Sequence, residues 1–229
     1  MIYGMMIVRN EAERYLDKVL QQMVQVCDKV IILDDNSNDN TVEVCESYGC
    51  EVYQTDKRIW DKNESILRQQ LWDLVTDQAE EGDWILCLDA DEYFNEKHLP
   101  FIDYLFNTVS SEVDGIGFKL HDMWNNRQYR DDEYWSAHKH YWCMAIRYST
   151  QVKYQWNNKA LHGGRFPFNA SQRMLPTEIP ILHMGWSTEH SRSLKYNRYK
   201  RLDSNAQYGW KEQYESILDK NPTLKQFYF

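Results

Sequence analysis

Residues 83–94, with the sequence Asp-Trp-Ile-Leu-Cys-Leu-Asp-Ala-Asp-Glu-Tyr-Phe, determine how the rest of the chain is interpreted. The apolar run from 84 to 88 is typical of a buried parallel strand, and open α/β sheets bind ligands where such strands end. Because side chains alternate along extended backbone, Asp89 and Asp91 are expected on one side, near enough to share a phosphate-bound cation. Glu92 is expected to face the scaffold. Capping of the next helix is the alternative, although a cap needs only one oxygen.

Strands and helices alternate regularly around this stretch. Apolar residues at helical spacing predict helices over Glu11–Val26, Thr41–Tyr48 and Glu64–Thr76. Short β-type runs predict strands over Ile2–Val8, Lys29–Leu33 and Cys50–Tyr53. This β-α-β-α-β-α-β order predicts an α/β fold with a doubly wound, mostly parallel sheet and right-handed crossovers.

The second half of the chain has longer connections and less regular alternation. The predicted elements there are a helix over His98–Val109, strands over Gly115–Leu120 and Tyr141–Tyr148, and a basic helix over 190–211. A chain of 229 residues is long enough for one α/β domain with a sizeable core. We therefore expect a single domain with a soft boundary near residue 110.

Charge and cysteine content limit the classes of function. The net charge of −9 argues against stable nucleic-acid binding, which calls for a basic face. Five cysteines without a CxxC pair are expected to be free thiols, which indicates a reducing compartment. The apolar N-terminal run is too short for a signal peptide, and no window reaches the roughly 20 apolar residues that span a bilayer. A cytoplasmic location is therefore expected.

Three polar stretches follow predicted strands, namely Ile7–Glu11, Ile31–Thr41 and Asp89–Glu92. In this order and spacing they resemble the family 2 glycosyltransferases with the GT-A fold, including bacterial lipopolysaccharide-core transferases. The glycine fingerprint of dinucleotide-binding folds and the phosphate-loop motif are both absent. The resemblance implies a Rossmann-like GT-A domain in which residues 1–110 bind a nucleotide-sugar and residues 111–229 bind the acceptor. It also implies inverting transfer of a sugar to an acceptor hydroxyl, an EC 2.4 hexosyltransferase activity.

The resemblance also suggests which residues contact the nucleotide. Asp35 matches a family position that accepts a hydrogen bond from a uracil ring N–H, which favours a UDP-sugar; an Asx-turn is a compatible alternative. Arg68 corresponds to a basic residue near the nucleotide, although a solvated position on its helix is equally compatible. Asn10 and His162 are further predicted donor contacts. His162 lies where some lipopolysaccharide-core enzymes carry His-Glu, and Gly163 stands in place of that Glu.

A divalent cation is predicted, because negative charge develops on the diphosphate when the glycosidic bond breaks. Asp91 is the predicted direct ligand, and Asp89 is predicted on the ribose hydroxyl or on metal-bound water. His183 is a further predicted ligand, since GT-A enzymes commonly supply a histidine from this late region; a satisfied core histidine is the alternative. Mn²⁺ and Mg²⁺ both accept hard oxygen ligands and are both candidates.

Carboxylates interleaved with aromatic residues occupy the segment 121–135. An inverting transferase needs a base within hydrogen-bond reach of the acceptor hydroxyl. Asp132 is the first prediction for this base and Asp122 the second; an exposed acidic loop is the alternative reading of the segment. The aromatic rings suit carbohydrate binding, although they equally suit a core. The expected acceptor is a glycan, a lipid-linked glycan or a protein.

The segment 190–211 carries six Lys or Arg residues and the single acid Asp203. Three uses of this charge compete: closing over the donor diphosphate, peripheral contact with an anionic membrane, or an ordinary solvated helix face. The first and third are favoured because the segment has few apolar residues.

Two other functions compete with glycosyl transfer. A nucleotidyltransferase or phosphohydrolase would use the same acidic metal site, but the first strand ends in Arg9-Asn10 and carries neither a DxD motif nor a basic glycine-rich loop. A non-catalytic carbohydrate-binding protein would account for the aromatic residues. It would leave Asp89 and Asp91 unexplained.

Overall fold

The computed structural model describes residues 1–229. Its helices are α1 (Leu16–Val26), α2 (Thr41–Ser47), α3 (Glu64–Thr76), α4 (Leu99–Thr108), α5 (Glu189–Leu202) and α6 (Lys211–Ser216). Its strands are β1 (Ile2–Val8), β2 (Lys29–Asp34), β3 (Glu51–Gln54), β4 (Trp84–Cys87), β5 (Glu92–Phe94), β6 (Gly115–Asp122), β7 (Gln128–Arg130), β8 (Trp142–Arg147), β9 (Met174–His183) and β10 (Leu224–Gln226). None of the helices is long and apolar enough to cross a membrane.

Eight strands form one sheet in the order β3-β2-β1-β4-β8-β6-β9-β5. Strands β3, β2, β1 and β4 are parallel neighbours, and β6 and β9 form a further parallel pair. Strand β8 runs antiparallel to β4 and β6, and β5 runs antiparallel to β9. The predicted α/β fold with a mostly parallel sheet is confirmed. Because β4 pairs with β8, the sheet continues across the soft boundary expected near residue 110.

Strand β1 shows why helices cover both faces of the sheet. All seven of its residues are buried, and successive side chains point to opposite faces. Met6 and Val8 pack in the same apolar cluster as the buried side of α1. Met5 and Ile7 pack in a second cluster with the buried side of α3. Because β1 is parallel to both β2 and β4, the loops that follow these three strands meet at one edge of the sheet.

The chain after β4 is a turn and not a continuation of the strand. Strand β4 ends at Cys87, and the N–H of Glu92 donates to the carbonyl of Asp89 at 2.9 Å. Strand β5 then begins at Glu92 and pairs with β9 at the far edge of the sheet. The expectation that strand alternation orients Asp89 and Asp91 is therefore wrong.

Two predicted helices are shorter than expected. Helix α1 begins after its predicted start, because the N–H of Glu11 donates to the hydroxyl of Thr41 at 2.8 Å and the following residues form turns. Helix α5 ends before residue 211, because the carboxylate of Asp203 accepts backbone N–H bonds from the turn that follows. Loop contacts thus replace helical hydrogen bonds at both positions.

Candidate active site

A cavity of about 880 Å³ opens at the carboxyl ends of β1, β2 and β4, within the size range of small-molecule sites. Its walls come from the turns after these strands, the ends of β6 and β9, the loop 161–171 and one face of α5. Seven predicted site residues line it, namely Asp35, Arg68, Asp89, Asp91, Asp122, His162 and His183. Asn10 and Asp132 do not line it.

The register of β9 brings a histidine between two carboxylates. His183 is opposite Asp122 of β6 on one side and opposite Glu92 of β5 on the other, next to the Asp91 turn. Its Nδ1 lies 2.8 Å from Asp122 Oδ1, and its Nε2 lies 3.7 Å from Asp91 Oδ1. Because an ionised carboxylate only accepts hydrogen bonds, Asp122 fixes a proton on Nδ1 and leaves Nε2 facing Asp91.

Charged neighbours shift the pKa values of both Asp91 and His183. Burial opposes ionisation of Asp91, but Lys195, His183 and Arg14 outweigh it and lower the pKa of the carboxyl group. Burial likewise opposes a charged His183, but the two carboxylates outweigh both burial and Lys195 and raise the pKa of the imidazole. Asp91 is therefore ionised near neutral pH and available to a cation.

The Asp91–His183 pair fits a divalent cation. No group of three or more His, Cys, Asp or Glu side chains is arranged to hold a metal ion by itself. Mg²⁺ and Mn²⁺ sites commonly take one or two protein ligands and complete the shell with substrate phosphates and water. Gly185 leaves the necessary space, since a Cβ there would lie 2.8 Å from His183 Nε2 and closer still to Asp91 Oδ2 and Lys195 Nζ.

We expect Gly185→Ala to weaken Mn²⁺ binding by about tenfold or more, the effect of displacing groups next to metal ligands. The backbone of Gly185 is not in the left-handed region, so the added methyl acts through space and not through strain. Isothermal titration with Mn²⁺ measures the effect. Ser204→Ala, at an exposed position, serves as the control. Unchanged Mn²⁺ affinity in the Gly185 variant would contradict the proposal that the cation binds in the space beside Gly185.

Asp89 pairs with two guanidinium groups. Its Oδ1 lies 2.9 Å from Arg68 Nη2 and 3.2 Å from Arg165 Nη1. Burial opposes ionisation of Asp89, but Arg165 and Arg68 hold the pKa of this carboxyl group well below its usual range. The roles predicted for Asp89, a contact with the ribose hydroxyl or with metal-bound water, stay predictions. The solvated alternative for Arg68 is wrong, because the side chain is 3% exposed.

Arg165 is a site residue that the sequence analysis missed. Its Nη2 donates to Oε1 of the buried Glu92 at 2.5 Å, while Glu92 Oε2 accepts the N–H of Asp89 at 3.0 Å. Arg165 thereby joins the acidic turn to the loop that forms the opposite wall of the cavity. The residue lies in an irregular connection between β8 and β9, where no periodic pattern indicates which side chains turn inward.

We expect Arg165→Met to lower the free energy of unfolding by about 3–5 kcal/mol, because it leaves Glu92 buried without its partner. Urea denaturation measures the change. The matched control is Arg173→Met, which removes a pair with Glu112 in which both side chains are exposed, and which should cost at most about 1 kcal/mol. Equal effects of the two substitutions would contradict a structural role for the buried pair.

Asp35 is fully buried at the nucleotide end predicted for the cavity. Its oxygens accept the N–H groups of Ile59 at 2.6 Å and Trp60 at 3.0 Å, so that it holds the segment after β3. A carboxylate has about four lone-pair positions, and further acceptor capacity remains for a base. The preceding Asp34 accepts the N–H of Ser37, three residues on, and stabilises the loop after β2.

Asn10 and His162 connect loops. The side-chain oxygen of Asn10 accepts the N–H of Asn38 at 2.9 Å and joins the loops after β1 and β2 outside the cavity. His162 lines the cavity, and its Nε2 lies 2.8 Å from the hydroxyl of Tyr214 in α6. In this arrangement His162 can contact a nucleotide-sugar bound in the cavity, whereas Asn10 cannot.

Asp132 is occupied by structural contacts. One of its oxygens lies 2.6 Å from Nε of the buried Arg130, and the other accepts the N–H groups of Tyr134 and Trp135 at 3.1 and 3.2 Å. Asp132 itself does not line the cavity, so the structure does not bring the first predicted base to the site. Of the two predicted bases, Asp122 is the one that lines the cavity.

Two large aromatic residues of segment 121–135, Trp124 and Trp135, belong to a small buried cluster. The cluster consists of Trp124, Trp135, Trp186, Tyr214 and Ile217. Exposed rings at the cavity come from elsewhere, since Trp142 on β8 is 45% exposed and Phe168 in the following loop is 57% exposed. The core interpretation therefore holds for the buried tryptophans of segment 121–135, although Trp135 also lines the cavity, and the sequence does not single out Trp142 and Phe168.

The cations of α5 contact the protein along one helix face. Arg198 and Arg201 lie 3.2 and 2.9 Å from the carboxylate of Asp61, in the segment between β3 and α3. Lys195 Nζ lies 3.6 Å from Asp91 Oδ2. The helix has no buried residues and is strongly polar. It therefore lies beside the cavity and presents Lys195 and Arg198 to it, and its use in closing over the donor diphosphate stays a prediction.

The mostly parallel sheet, with a cavity at the carboxyl ends of its strands, has the arrangement of a GT-A type α/β fold. A crystal structure of S. aureus TarS in complex with UDP has a TM-score of 0.52 and 14% identity, covering 95% of this chain and 70% of that one. The family model for Glycosyl transferase family 2 matches residues 5–188, and the chain belongs to this family.

Two curated relatives match shorter stretches. A TPR repeat-containing protein of Synechococcus elongatus is 39% identical over 87 residues, which are 38% of this chain and 19% of that protein. An "Uncharacterized glycosyltransferase" of Rickettsia bellii is 29% identical over 111 residues, which are 48% of this chain and 34% of that protein. The chain thus spans about a fifth and a third of the lengths of these relatives.

Proposed function

We propose that this chain is a metal-dependent inverting glycosyltransferase that moves a sugar from a UDP-sugar to an acceptor hydroxyl. Membership of Glycosyl transferase family 2 supports the reaction class. The observation that carries the proposal is the 3.7 Å approach of His183 Nε2 to Asp91 Oδ1 in a cavity that also contains Asp35. The binding of UDP by S. aureus TarS, which shares the fold, supports the choice of nucleotide.

Asp35 selects the base in this proposal. The ring N–H of uracil donates to the remaining acceptor capacity of this buried carboxylate, whereas cytosine presents an acceptor at the same ring position. A site built to accept a hydrogen bond rejects a ligand that cannot donate one, because a buried polar group is left unpaired. In this proposal Asp89, which Arg68 and Arg165 hold, accepts a hydrogen bond from the ribose hydroxyl.

Asp91 and His183 would hold a divalent cation, Mn²⁺ or Mg²⁺, which when bound neutralises the charge that develops on the diphosphate leaving group. Arg14 supports the same end of the cavity, since its Nη2 lies 3.9 Å from Asp91 Oδ2 while its Nη1 donates to Glu11 at 2.7 Å. Burial raises the pKa of Glu11 to about 7. In this proposal Arg14 and the divalent cation orient the diphosphate before reaction.

Asp122 takes the acceptor proton in this proposal. Its Oδ1 holds His183 Nδ1, and its carboxylate lines the cavity. Trp142 and Phe168 form an exposed aromatic wall of the cavity. Aromatic faces pack against the C–H surfaces of sugar rings, which favours a carbohydrate acceptor, either free, lipid-linked or attached to a protein.

Thermal shift with UDP, CDP and GDP, each with and without Mn²⁺, tests this function. We expect stabilisation by UDP that depends on Mn²⁺, with about 2.7 kcal/mol added when the ligand reaches ~100 times its dissociation constant. CDP and GDP should stabilise less. An equal response to all three nucleotides, or none to any, would contradict the proposed donor.

A further inference from the structure

Lys195 lies in the space between Asp91 and His183. Its Nζ is 3.6 Å from Asp91 Oδ2, 3.4 Å from His183 Nε2 and 4.3 Å from the centre of the Trp186 ring. A Cβ on Gly185 would contact the same ammonium group. A protein cation therefore already lies next to the two side chains that would hold the divalent ion.

The position of Lys195 follows from the local fold. Strand β9 ends at His183, a short 3-10 turn follows, and α5 begins after Thr188, whose hydroxyl accepts the N–H of Ser191 at 3.0 Å. The helix thus returns across the end of β9. Lys195 and Arg198 are three residues apart on one helix face and both line the cavity. Lys195 lies beyond residues 5–188, so the family match assigns it no role.

A divalent ion on Asp91 and His183 would repel an ammonium group at this distance, because both are positive and the site is largely removed from water. The lysine side chain has a flexible four-carbon stem and three donors, which let the ammonium group move without movement of the helix. The diphosphate of a nucleotide would provide the negative charge that the displaced ammonium group needs.

We propose that Lys195 is a resident cation of the Asp91–His183 pair, which the divalent ion displaces onto the phosphates of the bound nucleotide. The proposal rests on the proposed function of the same site. In the absence of nucleotide, the ion must displace Lys195 from Asp91, and its binding is weakened. When nucleotide is present, Lys195 gains new partners, so that metal and nucleotide favour each other's binding.

Substitution of Lys195 by a neutral side chain has opposite effects on the two ligands. For Lys195→Met we expect Mn²⁺ alone to bind about tenfold more tightly than to the unmodified protein, and UDP with saturating Mn²⁺ to bind about tenfold more weakly, within the usual range of coupling between sites. Electron paramagnetic resonance of free Mn²⁺ measures the first affinity, and isothermal titration with UDP the second. Lys195→Gln provides a second neutral variant.

Lys200→Met, which removes an exposed lysine of the same helix, is the matched control and should change neither affinity. Unchanged Mn²⁺ binding in both Lys195 variants, or changes of metal and UDP affinity in the same direction, would overturn the proposal. Failure of the unmodified protein to bind UDP with Mn²⁺ would instead contradict the proposed function, and this inference with it. The two failures are therefore distinguishable.

Discussion

Asp91→Asn is expected to abolish the Mn²⁺ dependence of UDP binding and to lower kcat/KM for sugar transfer by about 10²–10³-fold. The loss corresponds to about 2.7–4 kcal/mol of transition-state stabilisation, the size found when one group facing developing charge is removed. The amide is neutral and nearly isosteric with the carboxylate, so that the variant removes charge and leaves packing intact. Isothermal titration with UDP, with and without Mn²⁺, measures the binding effect.

The surroundings of Asp91 explain why its charge matters more than its hydrogen bonds. Lys195, His183 and Arg14 all approach this carboxylate, and together they lower its pKa despite burial. A neutral side chain leaves three positive groups without their shared partner. Asp103→Asn, at an exposed position on α4, is the matched control and should bind UDP as the unmodified protein does. If UDP binding by Asp91→Asn still responded to Mn²⁺, Asp91 would not be a ligand of the metal ion.

Asp122→Asn is expected to lower kcat by about 10²–10⁴-fold, the usual contribution of a general base. The amide oxygen can still accept the hydrogen bond from His183 Nδ1, so that Mn²⁺ affinity should remain nearly unchanged. Measuring both kcat and Mn²⁺ affinity separates two roles of Asp122, that of the base and that of the group that orients His183. Loss of a base lowers kcat alone, whereas loss of His183 orientation also lowers Mn²⁺ affinity. UDP release from a UDP-sugar and acceptor measures kcat.

Asp132→Asn provides the comparison for this substitution. Asp132 lies outside the cavity and holds Arg130 and a backbone turn, so its loss should affect stability and leave kcat nearly unchanged. Urea denaturation records the stability of both variants. Full activity of Asp122→Asn together with inactivity of a folded Asp132→Asn would reverse the assignment of the base.

The sequence alone predicts the first half of the fold well, because its signals are local. Apolar spacing identifies α1 and α3, short β-type runs identify β1, β2 and β3, and their alternation implies a parallel sheet. The edge where these strands end then follows from topology. The turn after β4 was missed because the apolar run reaches Leu88, whereas the strand itself ends at Cys87 and residues 89–91 reverse direction. The strand after this turn, β5, is placed by its pairing with β9, a long-range contact that local sequence does not indicate.

The candidate site was predicted in part, and the missing part depends on long-range contacts. Asp91 follows from the carboxylates at the end of a predicted strand, whereas His183 is predicted only by family resemblance. Their approach depends on the pairing of β9 with β5 and β6. Arg165 and Lys195 come from a loop and a polar helix in which no periodic signal distinguishes inward side chains from solvated ones. Asp132 is predicted from its neighbours in sequence, whereas its carboxylate contacts Arg130 and a backbone turn and does not line the cavity.

A crystal of this protein soaked with Mn²⁺ and UDP tests the central assignment most directly. Anomalous scattering locates Mn²⁺ independently of any assumption about its ligands. We predict one Mn²⁺ in contact with Asp91 and His183, with the diphosphate of UDP on the same ion and uracil near Asp35. An ion bound elsewhere, or UDP bound without contact to that ion, would contradict the account.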